Sequence, residues 1–392
     1  MNHSTGSGIR KFDVIIIGGG PAGATCALHL VRRNLRVLLL DRFRFPRTKP
    51  CGGGFSQKAR QLFDFDLTPV IEAEITEAEI ALRSRNPALI PRPAGAGYMV
   101  TRDKFDTLLI RQAVAAGADL HEQEAFVQLH EEKGGWLIDT EKDRYYADFL
   151  VGADGAVSRT ARCLGLMRGF DRYAPALTAE VEVSPDRLNA FRNRACFDFH
   201  VVKKGYAWIF PKSDHFSVGV FSTLLHQKGL NAILLNFINS RDFLRGNKIR
   251  YWKGGLIPRG GTRHPLVRNS ALLAGDAAAV PDPFFGEGIY YAARSGILAA
   301  EAIFKAATEN SRSLAHYETA VNREITTDLW WARVFNFGFY RFPFVFYPAI
   351  RNSTRLQQLI IDVNSGRITW KQSVSELVRT LPLWVSQTLL PW

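Results

Sequence analysis

The stretch FDVIIIGGGPAGATCALHLVRRNLRVLLLD, residues 12–41, decides the fold of this chain. Its β-branched run at 14–17 is typical of a strand buried in a parallel sheet. A glycine-rich turn follows, then the spaced apolar residues of a helix, and then a second apolar run at 37–40. This order predicts a strand–helix–strand unit that binds a dinucleotide.

The turn carries glycines at the spacing G-x-G-x-x-G, and the helix opens directly behind them. Gly18 would make the tight turn, Gly20 would let a pyrophosphate approach the backbone, and Gly23 would let helix and strand pack closely. Pro21 and Ala22 open the helix, whose positive amino end would face the phosphates. All five are therefore candidate cofactor-binding residues.

Asp41 closes the second strand. Its spacing along the sequence from the glycine turn is that of the acidic residue that hydrogen-bonds the adenosine ribose in such units. Its negative charge disfavours a 2′-phosphate at that position, because like charges repel each other. Arg42 follows directly and is also a candidate cofactor-binding residue. An ordinary glycine-rich turn between strands would not explain why an acidic residue stands at this position.

Two later strands also end in an aspartate beside a glycine. ADFLVGADG ends in Asp154 and Gly155, and SALLAGD ends in Gly275 and Asp276. An aspartate at such a place can accept hydrogen bonds from the hydroxyl groups of a ribityl chain. Both pairs are therefore candidate cofactor contacts.

The turn PFFGEG, residues 283–288, leads into a long helix pattern rich in small residues. Gly286, Gly288 and Ile289 stand where that helix begins. Its free N–H groups and positive dipole end would stabilise negative charge on a reduced flavin. These three residues complete the set of candidate cofactor-binding residues in this part of the chain.

In this order and spacing, the three motifs resemble those of FAD-dependent oxidoreductases related to the aromatic hydroxylases. The resemblance implies FAD as the cofactor, with Asp276 at the ribityl chain and Arg102, in TRDKFDTLL, near the cofactor. Many hydroxylases have a histidine where this chain has Ala279, so the match is not to a simple hydroxylase. No second GxGxxG follows a strand, so the electron donor stays open between NADPH, ferredoxin and reduced flavin.

Three segments, KPCGGGFSQKA, YAWIFP and DPFFGEGIYYAARSG, resemble the geranylgeranyl reductase family, and the likeness covers roughly residues 12–305. Members of that family hydrogenate isolated double bonds of isoprenoid chains on prenylated lipids, diphosphates, quinones or pigments. There the YxWxFP segment lines the lipid cavity, which makes Tyr206, Trp208 and Phe210 candidate substrate-binding residues. The family pattern often continues with GxG, but here Phe221 replaces the second glycine and would narrow or redirect the tunnel, so Phe221 is the fourth candidate substrate-binding residue.

Cys51 lies in RTKPCGGGF, residues 47–55, between two cations and three glycines. The family resemblance places this loop against the flavin ring, so Cys51 and Gly52 are candidate cofactor contacts and Cys51 is the candidate proton donor. Arg47 and Lys49 would favour the thiolate, which is a poor acid, and they could also meet an anionic head group. A buried inert thiol is the alternative interpretation.

The resemblance implies hydride transfer from flavin N5 to one alkene carbon and protonation of the other. Three other functions stay open. A flavin monooxygenase or halogenase would use oxygen, and a peripheral-membrane electron carrier would pass electrons to a quinone. A flavoprotein could also bind a ligand without turnover.

A chain of 392 residues is expected to form more than one domain. The predicted fold class is α/β (α+β overall), with a Rossmann-like FAD-binding domain interleaved with an antiparallel-sheet substrate domain, and with a helical C-terminal region. The FAD-binding domain is assigned to 1–75, 100–165 and 265–310, the substrate domain to 76–99 and 166–264, and the cap to 311–392.

The predicted cap contains LWWARVFNFGFYRFPFVFYPAIRNSTR, residues 329–355, in which Pro343 and Pro348 are expected to break any long helix. Aromatic residues mixed with arginines suit either a membrane interface or a hydrophobic lid over the substrate. The net charge of +13 is consistent with a generally basic surface or with an anionic membrane surface as partner, and nucleic-acid-binding motifs are absent from the sequence. Without a long apolar stretch or paired cysteines, we expect a cytoplasmic, peripherally membrane-bound protein with no metal site.

Overall fold

The structure is a computed structural model that describes residues 9–166 and 173–389. The predicted domain segments that include residues 1–8, 167–172 and 390–392 therefore lie partly outside the described residues. The described strands, in chain order, are β1 (Arg10–Ile17), β2 (Val37–Leu40), β3 (Gly54–Ser56), β4 (Ile71–Glu74), β5 (Glu77–Leu82), β6 (Arg85–Pro91), β7 (Gly97–Val100), β8 (Asp119–His121), β9 (Phe126–Glu132), β10 (Gly135–Thr140), β11 (Arg144–Gly152), β12 (Tyr173–Glu182), β13 (Arg194–Phe199), β14 (Gly205–Pro211), β15 (His215–Ser222), β16 (Ile249–Pro258), β17 (Val267–Arg268) and β18 (Ala271–Leu273).

The helices alternate with these strands in the first part of the chain and follow one another at its C-terminal end. In chain order, they are α1 (Pro21–Val31), α2 (Gln57–Arg60), α3 (Arg102–Ala115), α4 (Arg159–Cys163), α5 (Pro185–Phe191), α6 (Leu230–Asn239), α7 (Ile289–Thr308), α8 (Ala315–Val321), α9 (Thr327–Arg341), α10 (Pro343–Asn352), α11 (Thr354–Ser365) and α12 (Trp370–Leu389).

The first sheet holds the stretch that decided the fold. Its strands lie in the order β17-β18-β11-β1-β2-β8, and β10 and β9 extend it from β11. The pairs of β1 with β2 and β11, of β2 with β8 and of β11 with β18 are parallel. Parallel strands put their carboxyl ends at one edge, so the segments that follow β1, β2, β11 and β18 meet there.

The second sheet has the order β16-β12-β15-β14-β13-β5-β6. Its pairs are antiparallel except that β5 runs parallel to β13. This exception arises because β5 and β13 come from two separate excursions of the chain. The fold class predicted from the sequence is confirmed, whereas the domain boundaries stay a prediction.

A small third sheet, in the order β3-β7-β4, joins the segment after β2 to the start of α3. Helix α8 packs on α7 and β17 of the first sheet, whereas α9, α10 and α11 face β5 and β13 of the second sheet and α12 packs on α9 and α11. Pro343 begins α10 as expected, but the expectation for Pro348 was wrong, because it lies inside α10. A proline there removes a single N–H donor from a helix of ten residues, and packing of Tyr347 and Ile350 retains the helix. Within the described residues, none of the helices is both long and apolar enough to cross a membrane.

Candidate functional site

The glycine turn has the backbone geometry that its sequence requires. Gly18 has a φ of +106°, and a Cβ there would collide with the carbonyl oxygen of Ala153. A Cβ at Gly23 would collide with the carbonyl oxygen of Gly18. Gly20 differs, because the nearest atom to its Cβ position is Arg47 Nη2 at 3.8 Å. The backbone of Gly20 therefore borders open space at the amino end of α1, as a bound pyrophosphate would need.

Pro21 and Ala22 follow at the first turn of α1. The Ala22 side chain is buried and faces Gly275, while the Ala22 backbone lies against Gly296. The Cβ position of Gly275 lies 2.8 Å from the Ala22 Cβ, so small residues let α1 and α7 pack closely. Ala22 can therefore contribute to a ligand site only through its backbone.

Asp41 is held beside the glycine turn at the end of β2. Its Oδ2 accepts a hydrogen bond from Gly19 N at 2.8 Å, and its Oδ1 accepts one from Phe43 N at 2.9 Å. The side chain is almost fully buried, which fixes the direction of the carboxylate. Arg42 is exposed, and its guanidinium stacks on the Phe43 ring. The structure therefore places Asp41 in the site and Arg42 at its border.

A buried ion cluster lies next to Asp41. Arg102 donates from Nε and Nη2 to the two carboxylate oxygens of Asp106, both at 2.7 Å. Arg47 Nη1 lies 3.1 Å from the same carboxylate, and Arg47 Nε lies 3.8 Å from Asp41. Burial by itself lowers the pKa of Arg102, but the Asp106 carboxylate raises it above its ordinary value. Sequence reasoning missed Asp106, which stands one helical turn after Arg102 in α3.

The second cation of the cysteine loop reaches the other aspartate motif. Lys49 Nζ lies 3.4 Å from Asp276 Oδ2, and the Cβ position of Gly155 is 3.9 Å from the same nitrogen. Asp276 Oδ1 is 3.7 Å from the Cβ position of Gly288, at the start of α7. Lys49 and Arg47 are thus both paired with carboxylates of the protein, which leaves the expected contact with an anionic head group without support.

Asp154 is turned away from this group. Its Oδ2 accepts hydrogen bonds from Thr160 N at 3.0 Å and Thr160 Oγ1 at 3.1 Å, and its Oδ1 accepts one from Ser158. These bonds brace the loop that leads into α4. Gly155, with a φ of +88°, carries the chain past Lys49. The structure therefore places Gly155 nearer than the Asp154 carboxylate to the other candidate residues.

The turn before α7 is held from the inside by Asp282. Its Oδ1 accepts hydrogen bonds from Phe284 N at 2.7 Å and Phe285 N at 2.9 Å, and its Oδ2 accepts one from Trp370 Nε1 at 2.7 Å. Burial raises the pKa of Asp282 to about 6, although Lys58 and these hydrogen bonds oppose the shift. Trp370 belongs to α12, so the last helix fixes this turn.

The same turn is tied to the segment after the cysteine loop. Glu287 lies 2.7 Å from Lys58 Nζ and accepts a hydrogen bond from Ser56 Oγ. Gly286 has a φ of +68°, and its Cβ position is 3.3 Å from Tyr206 Oη. Gly286 is therefore brought against the second sheet, and Gly288 and Ile289 follow it at the amino end of α7.

The cysteine loop rests on a buried lysine that sequence reasoning missed. Lys212 Nζ donates to Gly52 O at 2.7 Å and to Val100 O at 2.9 Å. Cys51 is partly buried, and its Sγ accepts a hydrogen bond from Gly53 N at 3.3 Å. Burial lowers the pKa of Lys212 to about 8. The signal was present, because Lys212 directly follows the apolar run of β14.

The glycines of the loop also make room for the rings of β14. A Cβ at Gly52 would lie 3.0 Å from Trp208 Nε1 and 3.0 Å from the Phe210 ring. Trp208 is 5% exposed, and its Nε1 has no hydrogen-bond partner among the described residues. A Cβ at Gly219 would collide with the Trp208 ring. A buried N–H donor without a partner, together with the open backbone at Gly20, fits a site built for a polar ligand such as a flavin.

Tyr206 and Phe221 face each other across β14 and β15. Their ring centroids are 5.4 Å apart, and both side chains are buried. Tyr206 donates a hydrogen bond to Phe285 O, which joins the second sheet to the turn before α7. The Phe221 ring thus fills space beside Tyr206, where the family pattern has a glycine.

A cavity that is partly open to solvent lies between the second sheet and the C-terminal helices. Its lining comes from β5, β6, β13, the turn before α7, α9, α10 and α11: Ala78, Ile80, Ile90, Arg92, Phe197, Phe199, Phe284, Phe285, Phe339, Tyr347, Ile350, Gln357, Ile360, Ile361 and Asn364. Among the described residues, this lining does not include the four candidate substrate-binding residues. They lie one layer away, with Tyr206 and Phe210 packed on Phe197. The C-terminal helices therefore do form a lid over a largely apolar cavity.

Comparison with known proteins connects this site to named relatives. A sequence profile described as an FAD binding domain matches residues 11–217, more than half of the chain. The geranylgeranyl diphosphate reductase of Rhodobacter capsulatus is 30% identical over 312 residues, which cover 74% of this chain and 75% of that protein. The digeranylgeranylglycerophospholipid reductase 2 of Methanothermobacter thermautotrophicus is 29% identical over 343 residues, which cover 81% and 85%.

Solved structures share the same fold. A geranylgeranyl bacteriochlorophyll reductase-like protein from Thermoplasma acidophilum matches with a TM-score of 0.81 and 23% identity, over 97% of this chain and 99% of that chain. A flavin-dependent brominase matches with a TM-score of 0.74 and 21% identity, over 94% and 99%. At these identities the likeness concerns the fold alone. The sequence relatives go further: the cofactor is FAD, and the chain belongs to the geranylgeranyl reductase family of FAD-dependent oxidoreductases.

Proposed function

We propose that this protein saturates carbon–carbon double bonds of a geranylgeranyl-type isoprenoid chain carried by a lipid, diphosphate, quinone or pigment. The observation that carries the proposal is the position of the cavity. Phe285 lines the cavity, and the next residue in the chain is Gly286, a candidate FAD contact. A chain inside the cavity would therefore end close to the predicted flavin site.

The chain's own residues would bind the substrate and supply the proton. Once an electron donor has reduced it, the bound flavin would supply the hydride that reduces one alkene carbon. The aromatic lining, which includes Phe197, Phe199 and Phe339, would exclude water and hold the alkene in place. We assign the proton for the second carbon to the thiol of Cys51, whose loop is held by Lys212.

An anaerobic single-turnover experiment tests this function. The purified protein is reduced without oxygen, and geranylgeranyl diphosphate, a prenylated lipid or a quinone is added. We expect flavin reoxidation together with a product that gains hydrogen atoms in pairs, measured by mass spectrometry. Reoxidation by a quinone without saturation of any alkene, or activity that requires oxygen, would contradict the proposal and favour an electron carrier or a monooxygenase.

We also propose that the corner between α9 and α10 rests on an anionic membrane surface. Large apolar side chains are exposed there: Trp330, Val334, Phe337, Phe342, Phe344 and Val345. Phe337 is 72% exposed and Phe344 is 66% exposed. Arg341 stacks on Phe342, and Arg83 stacks on Phe344, so two cations lie beside the apolar surface. Such a mixture suits the boundary between lipid head groups and acyl chains.

The membrane corner is continuous with the cavity. Tyr347 and Ile350 of α10 line the cavity, while Phe344 and Val345 of the same helix are exposed. A prenyl chain drawn from a bilayer would therefore travel only the thickness of one helix. This arrangement supports a lipid-borne substrate rather than one that diffuses in water.

Vesicle co-sedimentation tests the membrane corner. The wild-type protein is expected to bind vesicles of phosphatidylcholine with phosphatidylglycerol more strongly than phosphatidylcholine alone. The double variant Phe337→Ser and Phe344→Ser should lose about tenfold or more in vesicle affinity, because two large exposed rings are removed. Leu235→Ser, at an exposed position on α6, is the matched control and should bind as the wild type does. Unchanged binding by the double variant would exclude this surface.

A further inference from the structure

The cavity contains one cation that the mechanism does not use. Arg92, at the end of β6, lines the cavity together with mostly aliphatic and aromatic side chains. Its Nη2 donates to Asn364 Oδ1 at 2.6 Å and to Ala96 O at 3.1 Å. Its Nε is buried and has no hydrogen-bond partner among the described residues. A donor left unpaired in this way is unfavourable, so the group is suited to a ligand that accepts its hydrogen bond.

Arg92 also lacks a carboxylate partner. Within residues 9–166 and 173–389, no acidic side chain lies within ion-pair distance of its guanidinium, whereas the buried Arg102 is bound by both oxygens of Asp106. Burial lowers the pKa of Arg92 to about 10, and Glu287 counteracts part of this effect, so the side chain is cationic at neutral pH. Buried charges in proteins are normally paired, so Arg92 is set up to receive an anion.

We infer that Arg92 and Asn364 bind the phosphate-bearing head of an amphiphile whose isoprenoid chain fills the cavity. The inference rests on the proposed function and adds a residue for substrate recognition. An arginine guanidinium is well suited to phosphate oxygens, and the Asn364 side-chain amide nitrogen offers a further donor. A head group bound at this point would set the distance of each double bond from the turn at Phe285, and so decide which double bond lies next to that turn.

Equilibrium binding to the FAD-loaded, oxidised protein tests this site. The ligands are geranylgeranyl diphosphate, a geranylgeranylated glycerophospholipid and geranylgeraniol, which has the same chain without a phosphate. Arg92→Met should lower the affinity for geranylgeranyl diphosphate by about 10- to 100-fold, the effect of losing a charge-assisted hydrogen bond. Binding of geranylgeraniol should change little. Arg85→Met, at an exposed arginine that begins β6, is the control and should bind all ligands as the wild type does.

A second variant preserves the packing in case Arg92→Met fails to fold. Asn364→Asp is nearly isosteric, pairs its new carboxylate with Arg92, and should repel the diphosphate while still binding geranylgeraniol. If both variants lose affinity for the phospholipid as well as for the diphosphate, the site recognises a phosphate that both ligands carry. If both variants lose affinity for the diphosphate alone, the site recognises the free diphosphate.

The possible failures can be told apart. If folded Asn364→Asp binds geranylgeranyl diphosphate as tightly as the wild type, the Arg92 site is wrong while the reductase proposal stands. If the wild type binds geranylgeraniol and geranylgeranyl diphosphate with equal affinity, the Arg92 site is also wrong, and the reductase proposal again stands. If the wild type binds none of the three chains, both the site and the proposed function are wrong.

Discussion

The Nζ atom of Lys212 lies 2.7 Å from the carbonyl oxygen of Gly52 and ties the end of β14 to the cysteine loop. A Cβ at Gly53 would collide with the same nitrogen. The glycines beside Cys51 therefore leave room for the Lys212 side chain and for the aromatic rings of β14, in addition to any room they leave for a cofactor. This relationship gives the loop a fixed position on the second sheet.

The lysine predicts how stability changes with pH. Its folded-state pKa is about 8, below the ordinary 10.5, so between these values the unfolded chain binds more protons than the folded protein. Stability contributed by Lys212 should therefore rise with pH from about 8 to 10.5. Relative to Lys212→Met, the wild type should gain up to about 1.4 kcal/mol per pH unit in this window, measured by denaturant unfolding. Lys228→Met, at an exposed lysine, should show no such difference from the wild type.

Asp282 predicts a change of the opposite sign at acid pH. Its folded-state pKa is about 6, above the ordinary 3.8, so the folded protein holds the proton longer. As the pH rises from 3.8 to about 6, the free energy of unfolding of the wild type should fall by up to about 1.4 kcal/mol per pH unit relative to that of Asp282→Asn. Denaturant unfolding at pH 4, 5 and 6 (roughly the window set by these pKa values) measures this difference. The prediction fails if Asp282→Asn and the exposed control Asp242→Asn follow the same pH dependence.

The glycine turn predicts two different outcomes for the same substitution. Gly20→Ala should fold, with a loss of stability of about 1 kcal/mol or less, because its Cβ would meet no atom nearer than 3.8 Å. Its affinity for FAD should fall about tenfold or more, since the Cβ takes space next to the backbone. Gly23→Ala should fail to fold stably, because its Cβ would collide with Gly18 O. Titration of the apoprotein with FAD and thermal unfolding distinguish these outcomes. If Gly20→Ala binds FAD as tightly as the wild type does, the pyrophosphate does not bind at Gly20.

Cys51 predicts a loss of chemistry without a loss of cofactor. With reduced flavin supplied, Cys51→Ala should slow alkene saturation by roughly 100-fold or more, which is the usual contribution of a general acid. FAD content and substrate affinity should stay near those of the wild type. Cys163→Ala, at an exposed free cysteine, is the control. A wild-type rate of saturation in Cys51→Ala would show that the thiol only lines the site.

Local patterns explain why much of this protein was readable from its sequence. Gly18 needs a positive φ, Gly23 needs close packing, and the apolar run of β14 needs burial, and each requirement is written in neighbouring residues. The family resemblance added the cofactor and the chemistry. Pro348 shows the limit of such patterns, since a helix-breaking residue was accommodated inside α10.

By itself, then, the sequence determined the FAD-binding unit and the chemical family, because these depend on backbone conformation and hydrophobic periodicity over short distances. Only the tertiary structure decided which charges meet. Lys49 forms an ion pair with Asp276, which lies 227 residues away along the chain, and Trp370 donates a hydrogen bond to Asp282, which lies 88 residues away. Which cations are neutralised depends on such distant contacts, because ion pairing is set by proximity in space rather than along the chain.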